Sequence, residues 1–226
     1  MGKDNLFHKV RERKALDLDR KKQIRQRQPR VLIVCEDSKS SAYYFQDMAK
    51  AFGLSAVDVR GKECGSAPSS VLKYAEKEYE QEKSSDPYDR VYCVFDRDQH
   101  KNFSHTVKKI SELKTSGEPF FAITSTPCFE IWLLLHFDYL SHPFMPTKKS
   151  SPCDQAISEL RKKATLDSYK KGIGGIYAKL SGHKMQEAIK YAKRLLKDNK
   201  NTGSDNPETN VHELVEYLAS LTKSIK

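Results

Sequence analysis

Arg90-Val91-Tyr92-Cys93-Val94-Phe95-Asp96-Arg97-Asp98 is the stretch that decides the fold. Valine, tyrosine and phenylalanine fit a pleated, packed surface. An almost unbroken apolar run is how a strand buried on both faces reads. A second run of the same kind, Arg30-Val31-Leu32-Ile33-Val34-Cys35, ends in Glu36-Asp37. Outward from these two, the chain alternates. A helix is expected over Ser38 to Phe52, with Gly53 as its stop. A strand follows over Ala56 to Arg60, then a loop from Gly61 to Gly65. Pro68 to Lys83 reads as a helix with Val71, Leu72, Ala75 and Tyr79 on one face, and Ser84-Ser85-Asp86-Pro87 as a turn. Beyond Asp98 come a helix over Phe103 to Thr115, a strand over Phe120 to Thr124 and a short apolar helix from Pro127 to His136. Strand and helix in strict alternation predict an α/β fold, an open parallel sheet covered by helices.

The remainder changes character. Residues 138–152 hold three prolines and several serines and read as a loop. Residues 153–226 show no strand pattern, only helices near 153–166, 183–199 and 209–223. The expected organisation is a basic helical arm over 1–29, a catalytic α/β domain over 30–137, and a loop with a helical C-terminal subdomain over 138–226. The 226 residues are enough to bury a core without disulfides. The longest apolar run, Ile131 to Leu135, is five residues, against about 20 for a membrane span. No apolar leader follows Met1, and Leu6 stands where a myristoylation signal wants Ser or Thr. Five cysteines, without CxxC spacing, predict a reducing cytoplasm, with no disulfide framework and no zinc ribbon. Cys35, Cys93 and Cys128 sit beside apolar runs, where a thiol packs as a small hydrophobe.

The net charge is +10, and residues 1–30 carry eleven basic groups against four acidic ones. Arg11, Arg13, Lys14, Arg20, Lys21, Lys22 and Arg25 crowd one predicted helix over 8–27. Such an arm is expected to meet a polyanion, a nucleic acid first of all. A charge run of this kind is also read as a merely solvated helix.

The candidate chemistry lies where the two strongest strands end. In an open α/β sheet, ligands bind beyond the carboxyl ends of the strands, at the switch in strand order. If the first and third strands are neighbours, Glu36, Asp96 and Asp98 converge there. Residues at i and i+2 of an extended chain face the same way, so Asp96 and Asp98 can share a site while Arg97 points elsewhere. Three mutually repelling carboxylates call for a hard cation, Mg²⁺ or Mn²⁺, and such an ion polarises a phosphodiester and prepares a water nucleophile. The competing reading is an acidic helix cap. Lys39 stands ready for a phosphate, or is an ordinary surface lysine. Glu130 lies in an apolar helix, where it needs a partner or a metal, unless it sits in the first turn and faces the helix dipole. His136 is expected in the core or in a pair; His100 follows the DxD closely, and a supporting place beside the acidic site is the lesser reading for it. Gly172-Ile173-Gly174-Gly175 reads as a turn, and neither a Walker loop nor a GxGxxG fingerprint is present.

Four blocks in order resemble the RloB-like family: residues 31–45, residues 91–98, Ser125-Thr126-Pro127-Cys128-Phe129-Glu130-Ile131-Trp132-Leu133-Leu134-Leu135-His136-Phe137, and Asn206-Pro207-Glu208-Thr209-Asn210-Val211-His212-Glu213-Leu214-Val215. The resemblance implies a Toprim-like fold, in which a glutamate after the first strand and a DxD after a later one hold Mg²⁺. Those roles fall on Glu36, Asp96 and Asp98, with Glu130 nearby. It further implies a bacterial anti-phage effector that cleaves RNA, tRNA above all, under an ABC-type ATPase partner. Two departures stand out: Asp37 replaces the family's glycine, and Ser40-Ser41 replace its Thr-Glu. The expected partners are thus a nucleic acid, RNA ahead of DNA, and an ATPase, with no membrane and with homodimerisation open. The readings that compete are a DNA-nicking nuclease of the OLD type, a receiver-like phosphoacceptor, and a non-catalytic nucleic-acid-binding scaffold whose acidic site has decayed. A receiver lysine belongs after the last strand, whereas Lys39 follows the first.

Overall fold

A computed structural model of the chain describes residues 28–36, 39–62, 64–65, 67–97 and 102–223. The basic helix expected over 8–27, with Arg11, Arg13, Lys14, Arg20, Lys21, Lys22 and Arg25, lies outside the described residues, as do Asp37, Asp98 and His100. The chain runs β1 (Val31–Cys35), α1 (Ser40–Ala51), β2 (Val57–Arg60), α2 (Pro68–Glu82), β3 (Arg90–Asp96), α3 (Phe103–Thr115) and β4 (Phe120–Thr126). It continues through α4 (Glu130–Leu134), α5 (Pro152–Arg161), α6 (Ile176–Leu180), α7 (His183–Thr202), β5 (Glu208–Thr209) and α8 (Val211–Lys223).

Among the described residues the five strands form one sheet in the order β2-β1-β3-β4-β5. The first four are parallel, and β5 joins the edge antiparallel, Ser125 facing Thr209 and Thr126 facing Glu208. This mostly parallel sheet flanked by helices is consistent with the Toprim-like α/β fold. β1 sits in the middle, registered with β3 from Val31↔Arg90 to Cys35↔Val94. The chain steps from β1 to β2 on one side and to β3 on the other. The switch in strand order therefore falls between β1 and β3, the adjacency the acidic ends required.

All five residues of β1 are buried, and the pleat sends them to opposite faces. Val31, Ile33 and Cys35 enter a core with Tyr44, Phe45 and Met48 of α1 and Trp132 of α4. That core continues without a break through Leu160, Leu180, Ala188, Leu195 and Leu214 of the C-terminal helices. Leu32 and Val34 enter a second core with Val71, Leu72 and Ala75 of α2, Ile110 of α3 and Cys93 and Phe95 of β3. Each large aliphatic buried in this way contributes about 1.5–3 kcal/mol. At the far end of the sheet from the acids, the Arg30 guanidinium bonds Glu82 at 2.9 Å and lies 3.6 Å from Asp58, tying β1, β2 and α2 together.

Four elements differ from the sequence expectation. The helix expected near 153–166 ends at Arg161, with a separate 3-10 turn over Ala164–Leu166. The helix expected from Pro127 to His136 is only Glu130–Leu134, because Thr126 is still in β4 and the next residues make the corner. The short α6 follows the Gly172–Gly175 turn, in a stretch where no element was expected. β5 lies where only helix was expected, since two residues are too few to show a periodicity.

Candidate active site

Glu36 is carried one step beyond β1 and keeps to the sheet: its N–H donates to the Val94 carbonyl at 2.8 Å. Its side chain turns across to the neighbouring strand, and Oε2 accepts the Asp96 N–H at 2.8 Å. Asp96 closes β3 opposite Ser125 of β4. The chain then leaves the sheet with Arg97 N–H on the Ser125 carbonyl at 2.7 Å. Two acids 60 positions apart are thus brought together at the carboxyl ends of adjacent parallel strands. Both are half-buried. The third expected ligand, Asp98, lies outside the described residues.

Asp96 lines a cleft of about 450 Å³. Its walls include Arg97, Thr126 and Cys128 from the strand ends, Phe144 and Met145 from the following loop, Cys153 from α5, and Lys171. Arg97 is ion-paired with Asp205, another lining residue.

Glu130 does not line this cleft; it lies behind the wall. It stands in the first turn of α4 and is 0% exposed, so both alternatives raised by the sequence hold at once: a first-turn position and a set of partners. Oε1 accepts the Ser40 hydroxyl at 3.0 Å and the Tyr169 hydroxyl at 2.8 Å. Oε2 faces the Cys153 thiol at 3.6 Å and the Lys171 ammonium at 3.8 Å. Burial, then the negative field of Glu130, pushes the Tyr169 phenol well above its ordinary range. Burial alone would lower Lys171, but Glu130, Cys153, Cys128 and Asp96 together raise it. Burial, with Cys153 and Glu130 beside it, pushes the Cys128 thiol up as well.

Lys39 is exposed, immediately before α1. Its stem lies along Gly172, where an added Cβ would stand 3.4 Å from Lys39 Cγ. Gly172 has φ +88°, so a side chain there would strain the backbone, while its contact with the lysine stem would be an ordinary one. The loop of Tyr169, Lys171 and Gly172 therefore reaches the α1 N-terminus and the base of the cleft together.

Two donor sets could hold a metal. Glu36 and Asp96 offer oxygen alone, which suits Mg²⁺ or Mn²⁺. Cys128, Glu130 and Cys153 bring three ligand atoms within 4.8 Å of one another. Two sulfurs and a carboxylate suit a borderline-soft ion such as Zn²⁺ and do not suit Mg²⁺. Sequence reasoning missed this second set, and with it Cys153, Tyr169 and Lys171. Cys128 and Glu130 flank a helix corner, Cys153 lies far along the chain, and no spacing motif joins them. The one available signal was the cost of Glu130 itself, which demanded partners without naming them. His136 is a core residue: its Nδ1 meets the Trp132 carbonyl at 2.9 Å, and burial lowers it to about 4.

A family model described as RloB-like protein matches residues 31–218, most of the chain. No curated protein and no solved structure gives a match. Among the described residues, no helix is long and apolar enough to cross a membrane.

Proposed function

The chain belongs to the RloB-like family, and on that premise we propose that it is a Mg²⁺-dependent nuclease, a cytoplasmic effector of bacterial anti-phage defence that cleaves RNA, tRNA first, under the control of an ABC-type ATPase. One observation carries the reading: Glu36 and Asp96, from neighbouring parallel strands, meet at the switch point of the sheet through a 2.8 Å hydrogen bond, beside a cleft that Asp96 lines. Glu36, Asp96 and, by its place in the sequence, Asp98 would hold the ion. When bound, it supplies Lewis-acid polarisation of a phosphoryl oxygen and a water of lowered pKa.

The protein's own part is positional. The Asp96 N–H fixes the Glu36 carboxylate, so its orientation needs no reorganisation when substrate arrives. The half-buried setting of both acids limits water around them and strengthens their field. The cleft opens beside Asp96, and the basic excess of residues 1–30 supplies attraction to a polyanion. DNA nicking is the alternative outcome of the same chemistry.

The test is cleavage of a mixed RNA and DNA pool by the pure protein with Mg²⁺ and with EDTA. Mg²⁺-dependent cleavage of the RNA is expected. Glu36→Ala and Asp96→Ala are each expected to lower the rate by about a hundredfold or more and to abolish toxicity in cells, with the fold retained. Wild-type cleavage by either variant, or cleavage that survives EDTA, overturns the reading.

A further inference from the structure

We propose that Lys171 is the anion anchor of the cleft, binding a non-bridging oxygen of a nucleic-acid phosphodiester beside Asp96. The proposal rests on the phosphodiester reading above and names the residue that holds the substrate there.

Arg97 and Lys171 are the cations among the described residues that line the cleft. Arg97 is already committed to Asp205. Lys171 is ion-paired as well, with the buried Glu130, but without a hydrogen bond. Its ammonium is 3.8 Å from Glu130 Oε2, beyond hydrogen-bond distance, and its side chain is 40% exposed. Glu130 has hydrogen-bond donors besides it, since Ser40 and Tyr169 donate to Oε1 and the Cys153 thiol covers Oε2, so Lys171 serves that buried carboxylate as a counter-charge and not as a donor. The lysine therefore adds a charge to this corner without completing a hydrogen-bond set. Its donors are left for the cleft, and an ammonium carries three.

The surroundings hold Lys171 in that position. Tyr169, two residues earlier on the same loop, is tied to Glu130 at 2.8 Å and to Ser40 at 3.1 Å. Gly172, the next residue, lies against the Lys39 stem. The loop is thus pinned on both sides of Lys171, and the loss of side-chain freedom on binding is partly met in advance. A carboxylate fixed by one strand end and a lysine fixed by this loop face the same 450 Å³ space. A phosphodiester carries one negative charge shared between its two non-bridging oxygens, and a lysine beside the acids would offset the repulsion that charge meets there.

The test separates binding from cleavage. Fluorescein-labelled 20-mers of one mixed sequence, as RNA and as DNA, are titrated by anisotropy in EDTA across a salt series, using the full chain. For Lys171→Met we expect affinity about tenfold weaker and a slope of log affinity on log salt reduced by about one, with Lys171→Arg close to wild type. A loss on both polymers identifies the shared phosphate as the contact; a loss on RNA alone assigns the anchor to an RNA strand. In parallel, acetylation of wild-type Lys171, read by mass spectrometry, is expected to fall when RNA is present. That measurement stands even if Lys171→Met folds poorly. A wild-type chain that binds through Lys171 but does not cleave in Mg²⁺ upholds the anchor and removes the nuclease reading. A folded Lys171→Met with unchanged affinity and salt slope, or no protection of Lys171 by RNA, overturns the anchor.

Discussion

His136 shows how strongly this interior acts on a single ring. Burial brings it to about 4 from an ordinary 6.5, and Trp132 stacks edge-on at 4.8 Å. In the unfolded chain the ring binds a proton near pH 6.5; in the folded chain it resists one down to about pH 4. Between those values the unfolded state holds more protons, so stability rises with pH and is fully present above 6.5. The span corresponds to about 3 kcal/mol. His212 is lowered by burial too and adds in the same direction. Denaturant titrations from pH 7 to 4 are expected to show this loss, and His136→Asn, which can still donate to the Trp132 carbonyl, to flatten it. At this scale the sequence was readable wherever chemistry forces a choice. Glu36 and Asp96 were legible because acids that end buried strands have few places to go. His136 and Glu130 were legible because an apolar neighbourhood makes a polar group conspicuous. Lys171 was not: a lysine in a glycine-rich loop carries no pattern, and only the tertiary path brings it beside Glu130.

Among the elements, the β4 edge depends on a side chain acting as backbone. Asn210 Oδ1 accepts from Thr124 N–H at 2.7 Å, and its Nδ2 donates to the Ala122 carbonyl at 3.0 Å. The two residues of β5 hold the next rungs, where Ser125 and Thr209 hydroxyls meet at 2.9 Å. Asn210→Ala removes both side-chain bonds from a half-buried edge and is expected to cost about 2 kcal/mol in urea unfolding; a change within about 0.5 kcal/mol would mean that water takes over the edge. β1, β3 and β4 were readable from their apolar runs, β2 from its place in the alternation, and α2 and α3 from helical spacing within one residue at each end. β5 and α6 were not, because two and five residues fall below the length at which period 2 and period 3.6 separate. Their places are set by the partners they complete, β4 in one case and α1 in the other.

For the molecule as a whole, charge and core are divided along the chain. The sheet and its helices take most of the apolar residues, while the largest basic excess precedes them in residues 1–30. If that arm delivers nucleic acid to the cleft, deletion of residues 1–27 should weaken binding of an RNA 20-mer and flatten its salt dependence by several contacts, with the melting temperature of the rest little changed. An unchanged slope would instead assign the arm to a protein partner. The α/β class was legible from the order of elements, and the switch point became certain only once β1 was placed between β2 and β3. That placement also has a side in time. β1 precedes both strands that flank it, and its five residues are apolar on both faces. A growing chain therefore presents β1 before either neighbour exists, and even once β2 is made one edge of its backbone waits for β3. Such an interval favours chaperone capture or aggregation over early folding. It closes when Arg90–Asp96 docks, the same event that brings Asp96 to Glu36. On the nuclease reading proposed above, an incomplete chain, still on the ribosome and surrounded by RNA, has no assembled acidic pair with which to cut it.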